Sequence, residues 1–396
     1  MGDLAVYLSQ SGRDEMKIKT KAFVFIQFFS LGVIGPYLAV YLYQKDYSGA
    51  QIGLLLGTMP IVMVVSQPLW SYLSDIWNSR RNLLMVGSLG VAIAAVGLGQ
   101  AGNFGLTFFF ALLFAGMRAP IAPISTAIIL DYLEDIDSPD DFSRIRLWGS
   151  VSFGLSSLLL GSLFLDQILV YFTWFIFGLY IILAGLSLLL PERQRVFTYS
   201  GINGIQIITE NPKFVIYLLA SIFVGGTMGV YNNFQAIFLQ SLGAAPWLVG
   251  LTVSLQAFLE VPMMLAIPFM LNRFSMRWIL LAGGIVLPIR WLLYVFIQQP
   301  GWVIPTQLMH GVGVVSFMVV GVLFTDILIP AKWRATGQGV YGTAMNGIGT
   351  GLGVYLAGYF FEWFGIRSVW QINVLLGLIG LGLLIWAVRR TGNPQK

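Results

Sequence analysis

Apolar runs long enough to cross a bilayer recur twelve times along this chain, and they leave few folds open. A helix needs about 20 apolar residues to traverse a hydrocarbon core of ~30 Å. Such runs lie near 22–43, 50–73, 82–101, 104–130, 147–166, 168–190, 213–239, 247–271, 277–297, 303–329, 337–361 and 366–388. Inside lipid a backbone must satisfy its own N–H and C=O groups, which single apolar segments of this length do as helices. Only 10% of the residues are charged and 57% are hydrophobic, against about 25% charged in a soluble domain. The expectation is an all-α polytopic membrane protein with twelve transmembrane helices in two pseudo-symmetric six-helix bundles. The longest internal polar stretch, 191–212, is read as a cytoplasmic linker between an N-terminal bundle (1–190) and a C-terminal bundle (213–396).

Basic residues set the orientation. Of the 22 lysines and arginines, Arg118 and Arg290 fall inside spans and Lys45 and Arg367 in odd-to-even loops, leaving eighteen for the termini, the even-to-odd loops and the linker. By the positive-inside rule those segments, and both chain ends, are cytoplasmic. The N-terminal twenty residues carry no apolar run followed by a small-residue cleavage site, so the first span is read as an uncleaved anchor. The basic excess is thereby explained by topology, and no nucleic-acid partner is expected.

The halves echo each other. SDIWNSRR after span two places Asp75 and Arg80 five apart, and NRFSMR after span eight places Asn272 and Arg277 five apart. RLWGSVSFG opens span five with Arg146, Gly149 and Gly154; RATGQGVYG opens span eleven with Arg334, Gly337 and Gly342 at the same spacings. Matches at equivalent places argue for an internal repeat, a transporter architecture. The run GIGTGLG in span eleven follows no strand, and it reads as small residues that let helices approach.

Several chemistries find no support. There is no cysteine and a single histidine, His310, too few ligands for a zinc site. No Walker A sequence occurs, and no HExxH or nucleophile–base pair at a sensible depth. The expectation is no enzyme and no cofactor, with the proton as coupling ion.

Five ionisable residues lie within spans: Arg118, Glu260, Arg290, His310 and Asp326. A charge at the bilayer centre costs at least about 2.5–3.5 kcal/mol, so such residues face a polar interior and mark a substrate or ion path. At ~1.5 Å per residue Arg290 and His310 lie at one depth and Glu260 deeper, within reach of an arginine side chain. We read Glu260, Arg290 and His310 as one cluster. A purely structural ion pair between spans eight and nine is the competing reading. Burial and a neighbouring arginine push a carboxylate's proton affinity in opposite directions, the condition for loading and releasing a proton. Glu260, His310 and Asp326 are the proton-coupling candidates. Arg118 has no acidic partner at its depth, since Asp131 lies thirteen residues further along, and is assigned to substrate with Arg290. Gln27, Tyr37, Asn232, Asn233, Gln256, Gln307 and Asn346 complete a candidate substrate cavity. Asp131 and Asp326 end spans four and ten, each ahead of a loop bearing arginine (Arg144 and Arg146; Arg334). Salt bridges or gating, with Asp75 and Arg80, are expected there.

The layout and the loop SYLSDIWNSRR resemble the major facilitator superfamily, with Ser71 and Asn78 in place of usual glycines. FSRIRLWGSVSFG (142–154) is similar to a signature of its phenylpropionate-permease and nucleoside-symporter branch, related in outline to lactose-permease-like symporters. Glu260-Val-Pro, Arg290-Trp and Gln307-Leu-Met-His310-Gly add to the likeness. It implies that Glu260, Arg290 and His310 serve substrate binding and proton coupling. Two departures are Gly313, where such symporters carry a carboxylate, and Thr126, where many relatives carry Asp.

The expected function is secondary active transport, proton-coupled uptake of a small solute such as a sugar or nucleoside. Its partners are the solute, protons and lipid, and the carrier is expected to be a monomer in a bacterial cytoplasmic membrane. An aromatic-acid carrier and an efflux antiporter are the alternatives. Span five lacks the Gly-Pro pair common in antiporters of the superfamily.

Overall fold

The computed structural model describes residues 10–77, 79–138, 141–164, 168–192, 211–330 and 333–390. Among the described residues twelve membrane-length helices carry the chain, and no strand occurs. They are α1 (Gln10–Gln44), α2 (Gly49–Trp77), α3 (Arg80–Gln100), α4 (Phe104–Asp135), α5 (Asp141–Phe164) and α6 (Ile168–Ser187). The second set is α7 (Pro212–Ser241), α8 (Pro246–Arg273), α9 (Met276–Phe296), α10 (Pro300–Leu328), α11 (Arg334–Gly342, Thr343–Gly349 and Thr350–Phe364 in sequence) and α12 (Ser368–Arg390). Each falls on one expected apolar run. Ten are long and apolar enough to cross a membrane. The other two, α5 and α11, open on the polar, glycine-bearing sequences that the repeat singled out. Over 193–210 the expected linker lies outside the described residues.

By contact the chain forms two compact units. One takes Met1–Gly35 and Val62–Thr198, the other Pro36–Ile61 and Tyr199–Lys396. The C-terminal part of α1 and the N-terminal part of α2 therefore pack with the C-terminal helices, a division that the polar linker does not reveal.

In the first unit α3 packs on α6 and α4. Met16 and Val24 of α1, Ile129, Tyr132 and Leu133 of α4 and Ile145 of α5 form one apolar cluster. Helix α4 breaks at Ala119–Pro120. Proline has no N–H, so the carbonyl four residues earlier loses its helical donor. That carbonyl is Gly116, and the indole Nε1 of Trp70 donates to it at 2.8 Å. A backbone acceptor freed inside an apolar bundle is thus satisfied from a neighbouring helix. Lys17 of α1 meets Asp141, the first residue of α5, at 2.7 Å. The Lys17 hydrogen bond holds the Asp141 carboxyl below the ordinary carboxylate value.

In the second unit α7 packs on α12 and α11, α12 on α9, and α10 on α8 and α9. The pairing of α3 with α6 recurs as α9 with α12, as a repeat requires. Gly226 of α7 and Gly353 of α11 bring their backbones together. A Cβ on Gly353 would sit 2.5 Å from the Gly226 Cα.

Two measurements check this packing. Gly353→Leu should lower stability in detergent by about 1–3 kcal/mol through overpacking, read as a fall in Tm. Gly382→Ala, at a position with open space around it, should leave Tm unchanged. Because Asp141 titrates lower in the fold, its contribution is present above the ordinary carboxylate value and lost as pH falls through the lowered one. Lys17→Gln should therefore flatten the acid limb of a Tm-against-pH profile. The effect should be small, as for any pair at a polar rim.

Candidate functional site

Three helices of the second unit deliver the polar cluster. Helix α8 carries Gln256 and Glu260 at i, i+4 and therefore on one face. Pro262 follows and removes the helical donor to the Phe258 carbonyl. Helix α9 carries Arg290, Trp291 and Tyr294, and α10 carries Gln307 and His310 one turn apart.

Arg290 is fully buried. Its Nη1 lies 2.8 Å from His310 Nδ1, and its Nη2 donates to Gln307 Oε1 at 2.9 Å. The guanidinium carbon stands 4.2 Å from the ring centre of Tyr231 and 4.9 Å from that of Trp291. These aromatic faces replace part of the hydration that the cation gives up. Tyr231 also donates through its hydroxyl to Gln307 Oε1 at 2.9 Å, and Gln307 Nε2 donates to the Tyr294 hydroxyl at 3.2 Å. His310 Nε2 lies 2.9 Å from Glu260 Oε1.

The polarity of this chain follows from the arginine. A guanidinium has donors and no acceptor, so His310 Nδ1 must offer its lone pair. The imidazole in this arrangement is neutral with its proton on Nε2, donated to the Glu260 carboxylate. Arg290 therefore reaches Glu260 only through His310, and no direct ion pair locks α8 to α9. A proton arriving on Glu260 has to be held by Oε2, because Oε1 already accepts from an N–H. The Glu260 side chain is 23% exposed and His310 is 3% exposed, so the carboxylate is the member of the chain that meets the cavity.

That cavity has a volume of about 420 Å³, within the range of small-molecule sites. Its polar lining includes Asn232, Gln256, Glu260, His310, Gln338, Asn346 and Thr350, with Tyr231, Trp291, Phe317 and Tyr341 as aromatic walls. Arg290 and Gln307 stand behind the wall, buried, and Asn233 turns its amide onto the Gly229 carbonyl at 2.8 Å. Tyr37 is buried and does not line it. In the first unit Gln27 accepts from Ser125 at 3.1 Å and Arg118 is half-buried. At Gly313 a Cβ would meet the far end of the Leu287 side chain at 2.7 Å, so a larger residue there requires that leucine to shift.

Sequence reasoning missed Gln338 and Tyr341. The signal for Gln338 was spacing: Gln338, Gly342, Asn346 and Thr350 recur every four residues and all line the cavity. Two π-helical turns, Ser316–Val320 in α10 and Thr343–Gly349 in α11, flank it. Tyr341 donates to the Phe317 carbonyl at 2.8 Å and Tyr217 to the Gly321 carbonyl at 3.0 Å, so the α10 turn is held by hydroxyls from two other helices.

The expected inner salt bridges need correction in their partners. Asp131 pairs with Arg80 of α3 at 2.7 Å. Arg144 turns to Asp141 at 3.3 Å, Arg146 covers the Phe28 ring at 3.9 Å, and Arg334 is exposed. Asp326 accepts from Gln338 Nε2 at 2.8 Å. The reason is geometric: a helix-borne arginine on the adjacent antiparallel helix needs no loop rearrangement to reach the carboxylate. The side chain of Asp75 lies outside the described residues.

Comparison with known proteins places this geometry in a family. The profile of the MFS_1 like family matches residues 17–372, and the chain belongs to that family. It is 28% identical over 382 residues to the maltose permease of Geobacillus stearothermophilus, covering 94% of this chain and 95% of that one. It is 27% identical over 380 residues to the uncharacterized transporter YwbF of Bacillus subtilis, covering 95% and 94%. The xanthosine permease of Escherichia coli is 21% identical over 412 residues, covering 96% and 97%. The crystal structure of the nucleoside transporter NupG shares the fold, with a TM-score of 0.85 at 20% identity over 94% of this chain and 98% of that one. The protein is an integral, multi-pass membrane transporter of the major facilitator type.

The hydrogen-bond polarity is testable. His310→Gln keeps an acceptor for Arg290 and a donor for Glu260, and should stay within about 1 kcal/mol of the parent. His310→Leu leaves a buried charge uncompensated and should cost about 3–5 kcal/mol. Thermal unfolding in detergent separates the two.

Proposed function

We propose that this protein is a proton-coupled symporter that takes up a small, hydroxyl-bearing solute, a sugar or a nucleoside, by alternating access. One observation carries the reading: a half-buried carboxylate, Glu260, at the wall of a solute-sized cavity, hydrogen-bonded to a histidine that a buried arginine holds neutral. The proton resides on Glu260 when loaded, and His310 and Arg290 set the cost of its leaving. Asp326 is joined to Gln338 rather than to this chain, so proton carriage is assigned to Glu260 first.

The solute class follows from the lining. Amides of Asn232, Gln256, Gln338 and Asn346 offer paired donors and acceptors, and aromatic faces offer stacking for a ring. Such a wall suits hydroxyl groups, and two relatives are named for maltose and xanthosine. Arg290, the cation that an aromatic acid would seek, is buried behind His310 and Gln307. Both termini are placed in the cytoplasm, the membrane is the bacterial inner one, and the carrier works as a monomer.

The test is solute-driven pH change in lightly buffered, de-energised vesicles. A sugar or nucleoside should alkalinise the medium with the parent protein and give no pH change with Glu260→Gln. Uphill accumulation with normal proton dependence in Glu260→Gln would sink the assignment. Alkalinisation by aromatic acids alone would move the solute class.

A further inference from the structure

A second hollow in the unit that carries the cluster has a different chemistry. It holds about 500 Å³ and lies where α9 ends and α10 begins. Leu293, Phe296 and Ile297 wall it on one side, and Trp302, Pro305 and Met309 on the other. Two amides, Gln298 and Gln299, line it in the connection between the helices. The hydroxyl of Thr306, deeper in, is spent on the Val303 carbonyl at 2.6 Å. Below the connection, therefore, the side-chain walls offer an occupant apolar contact and no free hydrogen bond.

The hollow opens toward hydrocarbon. Ile285, Ile289, Leu292, Leu293 and Phe296 are all exposed on α9. They stand at i, i+4, i+7, i+8 and i+11, one apolar stripe of a membrane-crossing helix. Leu293 and Phe296 belong both to that stripe and to the wall of the hollow. From Trp302 to Met309 the opposite wall runs seven residues, ~10 Å of helix. Trp302 itself is 65% exposed at the polar end, the level at which tryptophan rings sit in a bilayer. Thr306 and Met309 each precede a member of the buried network, Gln307 and His310. An occupant therefore packs against the turn of α10 that presents both to Arg290.

A cation stands beside the polar end. Arg367, in the connection between α11 and α12, donates from Nη1 to the Val295 carbonyl at 3.0 Å, one residue before Phe296. The bond satisfies a carbonyl in the last turn of α9 and fixes the guanidinium there. The side chain is exposed, and its other donors meet no protein acceptor among the described residues. Glu362, the acid nearest in sequence, accepts instead from the Ala50 N–H at 3.5 Å. An apolar trough with an amide rim and an anchored cation matches an amphiphile with an anionic head.

We propose that this hollow binds an acyl chain of an anionic phospholipid, with the headgroup phosphate held by Arg367 and the amides of Gln298 and Gln299. A zwitterionic lipid brings its own ammonium to the phosphate and gains less from Arg367.

The experiment reads tryptophan fluorescence of the full-length protein in phosphatidylcholine vesicles. These contain a minor fraction of phosphatidylglycerol brominated on its acyl chains, which quenches on contact. The Trp302 signal is the difference between the parent and Trp302→Phe. At equal mole fraction, brominated phosphatidylglycerol should be preferred over brominated phosphatidylcholine by about fivefold, the worth of one basic side chain toward an anionic lipid. Arg367→Gln should abolish that preference. Lys45→Gln, which removes the cation seated over the Tyr41 ring, should leave it whole. Met309→Phe, which fills the hollow, should weaken quenching by both lipids. Equal quenching by the two lipids in the parent would overturn the proposal, as would a preference that survives Arg367→Gln. Unchanged quenching in Met309→Phe would place the chain outside the hollow and overturn it too. The headgroup comparison in the parent and the Met309→Phe arm decide the matter even if Arg367→Gln proves unstable. None of these readings depends on the solute or on the coupling ion.

Discussion

A permanent cation has been taken out of water between helices, and the second unit is arranged around that fact. Arg290 cannot be deprotonated and cannot accept a hydrogen bond. Everything within reach must therefore present an acceptor or an aromatic face, and Gln307, His310, Tyr231 and Trp291 do so. The direction imposed on the first bond propagates outward: His310 is left with one donor, and it is spent on Glu260. Loss of the arginine would free both the tautomer of the histidine and the carboxylate it orients. Two hydroxyls fix the Gln307 amide that faces the arginine, while Arg290 Nε stays buried without a hydrogen-bond partner and leans on the aromatic faces alone.

The fold was legible because the bilayer demands length and apolarity, and a sequence cannot disguise either. All twelve runs became helices with ends within about six residues of the expected ones, apart from the longer N-terminal extension of α1. Glu260, Arg290 and His310 were legible for the same reason: in a lipid-spanning segment a charge stands out, and helix rise converts its position into depth. Gln338 and Tyr341 did not stand out, because a neutral amide or phenol near a polar helix start has no cost to advertise. Asp131 was visible as a buried-end carboxylate, yet its partner was misread. Sequence proximity favoured the arginines of the following loop, whereas antiparallel packing of α3 on α4 brought Arg80. The division by contact was hidden too, since the end of α1 and the start of α2 read as ordinary parts of their apolar runs and carry no mark of the helices they join.

The break in α4 shows how such a bundle handles an irregularity. Pro120 frees the Gly116 carbonyl, and Trp70 supplies the lost donor from α2. The same solution appears in α10, where Tyr341 and Tyr217 cover carbonyls at the π-helical turn. In both cases an aromatic side chain with one polar atom reaches across from another helix. It buries its ring as packing and spends its hydrogen on the backbone.

The two π-helical turns have a consequence for how this chain is compared with others. Each turn closes its hydrogen bond one residue later than an α-helix does, so every side chain beyond it is rotated by roughly 100° relative to an uninterrupted helix. Residues on either side of Ser316–Val320 or Thr343–Gly349 keep their order but exchange faces. A gapless superposition of span ten or eleven onto a regular helix would thus assign lipid-facing neighbours to the cavity over half of its length.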